Sequence, residues 1–162
     1  MKHTIEMKVN GETWVVDVAP GEVLLDVLRE KVGVKSPKIG CERGDCGSCT
    51  ILYDGKTIRS CLTLAVEADG HEVTTLEGIG HDGLTTLQEK MIEMSSFQCG
   101  FCAPGVVLSA HELLEQEPSP TAEQVQEAIS GNLCRCTGYD PIVDAVLEAA
   151  RFGAAGASQE GS

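Results

Sequence analysis

The eight cysteines of this 162-residue chain fall into two sets: Cys41, Cys46, Cys49 and Cys61, then Cys99, Cys102, Cys134 and Cys136. Thiols in such numbers constrain a fold more tightly than any hydrophobic pattern, because whatever they bind fixes where separate segments meet. A disulfide framework suits exported domains with little core. The opening run Met1-Lys2-His3-Thr4-Ile5-Glu6 has neither the apolar segment nor the twin arginine of an export signal, so a cytoplasmic, reducing setting is expected, with thiolates serving metal. Structural zinc can use four thiolates, but it favours paired knuckles, and C-x₄-C-x₂-C and C-x-C are poor ones. A thioredoxin-like pair at Cys99 and Cys102 would leave the other cysteines unexplained.

The stretch Cys41-Glu-Arg-Gly-Asp-Cys46-Gly-Ser-Cys49 has the plant-type [2Fe–2S] spacing. Three thiolates converge from one loop, and Gly40, Gly44 and Gly47 let the backbone fold tightly without Cβ clashes. The N–H groups this exposes can point at sulfur. Cys61 is the candidate fourth ligand in this half of the chain. In the second set, Cys99 and Cys102 precede a helix whose positive end favours thiolate. Cys134 and Cys136 lie between two further helices. Spacing alone does not group these four; the division of the chain into two halves does.

Ile5, Met7 and Val9 alternate as a half-buried strand, Asn10-Gly11 signals a hairpin, and Trp14, Val16 and Val18 continue on the return strand. Leu24, Leu25, Leu28 and Val32 form a helical stripe that Gly33 ends. Strands are expected at 51–53, 57–59, 62–66 and 72–75, with a turn at Asp54-Gly55. Beyond Glu77 the texture is helical: a face of Leu84, Leu87, Met91 and Met94, a helix opened by Pro104, a capping box at Thr121 and Gln124, and a last helix from Asp140-Pro141. The expected division is 1–77, a small α+β sheet domain; 78–83, a linker; 84–152, a four-helix bundle; and 153–162, a flexible tail.

Aromatic residues make up only 4% of the chain, so both cores must be built from Leu, Val, Ile and Ala. The formal charge of −13 repels phosphate backbones, and no basic stripe offsets it, so nucleic acid is not an expected partner. No run approaches the ~20 apolar residues of a membrane-spanning helix, so no membrane insertion is expected.

Three segments carry a further signal: Gly40-Cys41 through Cys49-Thr50, Gln98-Cys99-Gly-Phe-Cys102-Ala-Pro-Gly105, and Gly131-Asn-Leu-Cys134-Arg-Cys136-Thr-Gly-Tyr139. In that order they resemble the small iron–sulfur subunit of the molybdenum hydroxylases, the family of xanthine dehydrogenase, aldehyde oxidoreductase and carbon monoxide dehydrogenase. The resemblance covers residues 3 to 151. It implies a plant-ferredoxin-like β-grasp domain followed by a four-helix bundle, each holding a [2Fe–2S] cluster. Cys41, Cys46, Cys49 and Cys61 would hold the outer cluster, nearer a flavin subunit. Cys99, Cys102, Cys134 and Cys136 would hold the inner one, near a molybdenum–pterin cofactor held mainly by a large partner subunit. Gln98 and Cys136 would lie against the pterin. FAD would sit in a medium partner subunit. The chain would relay electrons from the molybdenum centre to a flavin or other acceptor, with no catalysis of its own. The family often has Thr at the position of Ala103. The short gap from Cys49 to Cys61 suits this family better than a free plant-type ferredoxin. A free two-cluster carrier and a redox sensor are the alternatives from other classes.

Arg135, between two expected ligands, could stabilise the reduced inner cluster by its charge, or else face solvent or an interface. His3, His71, His81 and His111 show no metal-ligand spacing. Phe101 is expected to pack in a core, or else to shield the second cluster or pack on a partner.

Overall fold

A computed structural model describes the backbone of residues 2–80 and 83–157. Strands β1 (His3–Val9) and β2 (Glu12–Val18) pair antiparallel about the Asn10-Gly11 turn, where both residues have positive φ, 53° and 85°. That is the backbone a two-residue hairpin needs. β3 (Thr50–Tyr53) and β4 (Lys56–Arg59) form a second hairpin about Asp54-Gly55, again with positive φ at both positions. β5 (Glu72–Thr74) runs parallel to β1 and antiparallel to β3, giving the sheet order β2-β1-β5-β3-β4. The helix α1 begins at Leu24–Asp26 and continues with π-type winding over Val27–Val32. It stops at Gly33 in the left-handed region (φ 91°), as the sequence predicts. Leu24, Val27 and Leu28 pack on Ile5, Met7, Val9, Ile51 and Val73 to make the first core.

The expected strand at 62–66 does not form. Two short 3₁₀ turns, Ser60–Leu62 and Ala65–Ala68, take its place. Ala65 and Ala68 are fully buried, whereas Leu62 and Leu64 are exposed. A spacing of three between buried positions suits 3₁₀ winding, not the period of two that a strand requires.

A short helix, α2 (Leu76–Ile79), overlaps the start of the stretch predicted as a linker. It is fastened back to the sheet domain: the Glu77 carboxylate accepts from Lys35 N and Ser36 N at 3.0 and 2.9 Å, from Ser36 Oγ, and from Thr75 Oγ1 at 2.6 Å. Those donors hold its carboxyl down to about 2 against the opposing effect of burial. His81 and Asp82 lie outside the described residues.

Four helices follow, α3 (Thr86–Glu93), α4 (Ala103–Gln116), α5 (Ala122–Ile129) and α6 (Asp140–Ala157). Their shared core contains Leu87, Met91, Val106, Ala110, Val125, Ile129, Ile142 and Val146. Leu84 and Met94, predicted on the same face as Leu87 and Met91, are exposed, because α3 is too short to carry that stripe beyond its ends. Pro104 is the second residue of α4 rather than the first. The capping box at Thr121 and Gln124 forms as expected. The last helix extends to Ala157, into the segment read as a tail, because Ala154, Ala155 and Ala157 are strong helix formers; residues 158–162 lie outside the described residues.

The two halves meet at the β3–β4 hairpin and α4. Glu112 of α4 accepts from Thr57 N at 2.9 Å and lies 3.5 Å from Lys56 Nζ. This contact brings the loop before β3 close to the loop before α6, and both loops carry cysteines.

Candidate metal centres

All eight cysteines are free thiols. In the first set, Cys41 Sγ accepts from Cys46 N at 3.4 Å. The backbone N–H groups of Arg43, Cys46 and Asp45, led by Arg43, lower the Cys41 pKa to about 6. Residues 42–47 coil around that sulfur as the glycine-rich sequence predicts, with Gly44 and Gly47 at positive φ. Gly40 is needed for space: a Cβ there would stand 2.8 Å from Cys46 Sγ. Gly47 is needed for a different neighbour, since its Cβ would meet the Gly131 carbonyl oxygen at 2.3 Å, across the junction of the two halves. Cys49 and Cys61 are buried. Burial first, then the neighbouring Cys49 thiol, push Cys61 up to about 11.

In the second set, Cys136 Sγ lies 3.6 Å from Cys99 Sγ. Cys102 is buried, and burial followed by the adjacent Cys134 pushes its thiol up to about 12. Burial acts on Cys134 in the same direction, but hydrogen bonds from the Thr137 hydroxyl (3.1 Å) and from the Cys136 and Thr137 N–H groups outweigh it and lower its pKa. The loop is braced by Tyr139, whose hydroxyl accepts from Cys134 N at 2.8 Å and donates to Asn132 O at 3.1 Å.

The thiols therefore close in pairs: Cys41 with Cys46, Cys49 with Cys61, Cys99 with Cys136, and Cys102 with Cys134. Among the described residues no three His, Cys, Asp or Glu groups converge on one ion. A zinc ion needs its four thiolates at one point, about 2.3 Å away. A diiron cluster takes four thiolates spread over two metals. The 3.6 Å between Cys99 and Cys136 is close to the roughly 3.8 Å separating two thiolates on one tetrahedral metal. Paired thiols, with Gly40 leaving room beside Cys46, fit a dinuclear cluster in each half.

The remaining expected site residues also sit at the second set. Gln98 Nε2 donates to Cys136 O at 3.0 Å, so the two residues expected to face a pterin are adjacent. Gln98, Cys99 and Cys136 are exposed, as are Phe101 (45%) and Leu133 (57%) beside them. Phe101 is therefore not a core residue. Arg135 is exposed and takes part in no hydrogen bond or ion pair among the described residues. His71 pairs with Asp54 at 2.6 Å, and His111 lies 3.4 Å from Glu115, both away from the cysteines.

Sequence reasoning missed the residues that join the two sets. Asn132, almost wholly buried, donates through Nδ2 to Gly47 O and Thr50 Oγ1, each at 3.1 Å, and accepts from Ser109 Oγ at 2.9 Å. Arg59 donates to Thr50 Oγ1 at 2.8 Å and to Gly131 O at 2.7 Å. Leu133 N donates to Cys46 O at 2.9 Å, so the residue before Cys134 is bonded directly to a cysteine of the other set. An asparagine flanked by Gly131 and two residues from a cysteine was the available signal. Lys38 was missed too. Its ammonium lies 5.5 Å from the centre of the Phe101 ring, between Cys99 and Cys102 in sequence.

Comparison with known proteins supplies two family matches in sequence order. Residues 7–77 match the 2Fe-2S iron-sulfur cluster binding domain, and residues 75–147 match the [2Fe-2S] binding domain. The chain is 52% identical over 145 residues to the nicotine 6-hydroxylase small subunit of Paenarthrobacter nicotinovorans, covering 90% of this chain and 88% of that one. It is 45% identical over 146 residues to the nicotinate dehydrogenase small FeS subunit of Eubacterium barkeri, covering 90% and 93%. Among solved structures, quinoline 2-oxidoreductase from Pseudomonas putida 86 superposes with a TM-score of 0.87 at 47% identity, over 94% of this chain and 98% of that one. The aldehyde oxidoreductase of Desulfovibrio desulfuricans does so at 0.90 and 43%, this chain spanning 17% of that larger protein.

Proposed function

Since the chain belongs to the small iron–sulfur subunits of the molybdenum hydroxylase family, we propose that Cys41, Cys46, Cys49 and Cys61 hold an outer [2Fe–2S] cluster and Cys99, Cys102, Cys134 and Cys136 an inner one. The chain is an electron-transfer subunit of an oxidoreductase and is not catalytic alone. Bound there, the clusters supply one-electron redox chemistry. The protein's own part is to position them, exclude water and set the charge around them. Cys49, Cys61 and Cys102 are the buried thiols, so each site is dry on one side. The raised pKa values of Cys61 and Cys102 mean that metal binding must displace their protons, which makes loading pH-dependent.

The observation that carries this reading is the bond from Leu133 N to Cys46 O, which locks the two cysteine loops together. It supports relay between two centres in one chain. The exposed surface of Gln98, Cys99, Phe101, Leu133 and Cys136 supports a partner-facing side at the second centre rather than a free carrier. On this reading that side meets a large subunit carrying a molybdenum–pterin cofactor, with Gln98 and Cys136 against the pterin. Electrons leave by the first centre to an FAD-bearing medium subunit or another acceptor. The reading includes a β-grasp unit at 1–77, a linker at 78–83 and a four-helix bundle at 84–152, in a cytoplasmic complex. No described helix is long and apolar enough to cross a membrane. Anaerobically prepared protein should contain about four irons per chain, the number two [2Fe–2S] centres require, and show two paramagnetic signals on reduction. Cys46→Ser should abolish one signal and Cys134→Ser the other. One signal lost in both variants would reject two separate centres.

A further inference from the structure

The inner cluster site is built from residues of the helical half, yet the cation that approaches it comes from the other half. Lys38 lies in the segment leading to Cys41, and the peptide that joins it to Pro37 is held at both its carbonyl and its N–H. Pro37 O accepts from Arg29 Nη1 at 2.7 Å, and Lys38 N donates to Ser48 O at 2.9 Å. From this anchored start the side chain crosses the junction. Its ammonium settles 5.5 Å from the centre of the Phe101 ring, within the Cys99-Gly-Phe-Cys102 loop. Burial first, then the Arg29 charge, lower its pKa from the ordinary lysine value, while Glu77, Cys102 and Cys99 favour the charged form. The side chain is half-buried, so solvent screens its field less than that of an exposed charge. Arg135, closer in sequence to two of the cysteines, is exposed.

Resting on the cluster assignment above, we propose that Lys38 is a positioning residue that tunes the second centre: its ammonium, held over Phe101, stabilises the reduced state of the group bound by Cys99, Cys102, Cys134 and Cys136. The step it biases is a one-electron transfer. The second centre gains one electron from the partner's molybdenum centre and passes it to the first; no bond is made or broken, and the ammonium keeps its proton. Reduction adds one negative charge beside a fixed positive one, so the reduced form is favoured. A unit charge roughly 10 Å from a redox centre, at an effective dielectric near 20, alters that balance about tenfold. Lys38 also places this bias under control of how the two halves dock, since the cation reaches the second centre only while the segment 35–39 stays seated.

The test is a potentiometric titration of the intact complex, following the two cluster signals by paramagnetic resonance. Lys38→Met keeps the aliphatic stem on Phe101 and removes the charge; Lys38→Gln is a second neutral variant, and Lys38→Arg restores the charge. In the neutral variants the reduced-to-oxidised ratio of the second centre, the one whose signal Cys134→Ser abolishes, should fall about tenfold at fixed potential, a drop of about 59 mV for a one-electron couple. The other centre should move less, iron per chain should be unchanged, and Lys38→Arg should recover the parent midpoint. Unmoved midpoints with full iron overturn the role of Lys38 and leave the cluster assignment standing. So does an arginine variant that shifts like the neutral ones, or loss of iron in all three, since either marks a structural role. Parent protein that holds no iron overturns the cluster assignment itself, and this inference with it.

Discussion

Asn132 is the clearest place to ask how firmly the two halves are joined. Replacing it with alanine removes three buried hydrogen bonds, to Gly47 O, Thr50 Oγ1 and Ser109 Oγ. The partners do not suffer equally. Gly47 O still accepts from Thr50 N at 3.1 Å and Thr50 Oγ1 at 2.6 Å, and Thr50 Oγ1 still accepts from Arg59 at 2.8 Å. Ser109 Oγ alone loses its only side-chain partner. Three bonds at about 1 kcal/mol each, with one hydroxyl left dry, give a loss of roughly 2–4 kcal/mol. For a chain of this length that is a fall in Tm of roughly 5–15 °C. Scanning calorimetry of the cluster-loaded protein measures it, and hydrogen exchange at Leu133 N–H, which is bonded to Cys46 O, should accelerate by a larger factor than amides deep in α4. Ser109→Ala should cost less than Asn132→Ala, and the double variant should cost less than the two added, because they share a bond. A Tm change under about 2 °C in Asn132→Ala, far below the drop expected for this many lost bonds, would show that the junction does not depend on this side chain.

Gly40→Ala should lower occupancy of the first centre and spare the second, read as the loss of one paramagnetic signal, because its Cβ would press on Cys46 Sγ. Tyr139→Phe removes the hydroxyl that accepts from Cys134 N and should cost about 1–3 kcal/mol, seen as faster iron release to a chelator from the second centre only. Glu77 sets a pH dependence. Its folded pKa of about 2 lies below its ordinary 4.5, so its stabilisation is fully present above pH 4.5 and is lost as pH falls towards 2. Because the carboxylate is only partly withdrawn from solvent, screening reduces the contribution to about 1 kcal/mol. Urea titrations should find Glu77→Gln less stable than the parent at pH 7, with the gap closing near pH 3; a gap that widens on acidification would contradict the sign.

The hairpins were legible because Asn10-Gly11 and Asp54-Gly55 require a backbone that few other dipeptides tolerate, and α1 was legible from its stripe and its glycine stop. The first three cysteines stood out because C-x₄-C-x₂-C is a rare spacing with a geometric cause, whereas the second four were grouped only by the division of the chain. Local pattern did not reveal contacts made across the junction. Nothing in the sequence around Lys38 says that its ammonium reaches Phe101, since the two are far apart in the chain and meet only when α4 docks on the β3–β4 hairpin. The same is true of Gly47, which reads as a loop glycine but is required by the Gly131 carbonyl above it. The strand expected at 62–66 failed for a different reason. An apolar run of that length carries too little periodicity to separate a strand from two 3₁₀ turns.

The link between Leu133 and Cys46 is made by main-chain atoms on both sides. Substitution at position 133 leaves the donor in place unless the newcomer is proline, so the exposed leucine side chain is at liberty to change with whatever docks against it. Relatives can thus diversify their outer surface there and inherit an unaltered internal spacing between centres. A chimaera that swaps one half for a homologue's should work when it reproduces the path of that short stretch of backbone, whatever side chains it brings.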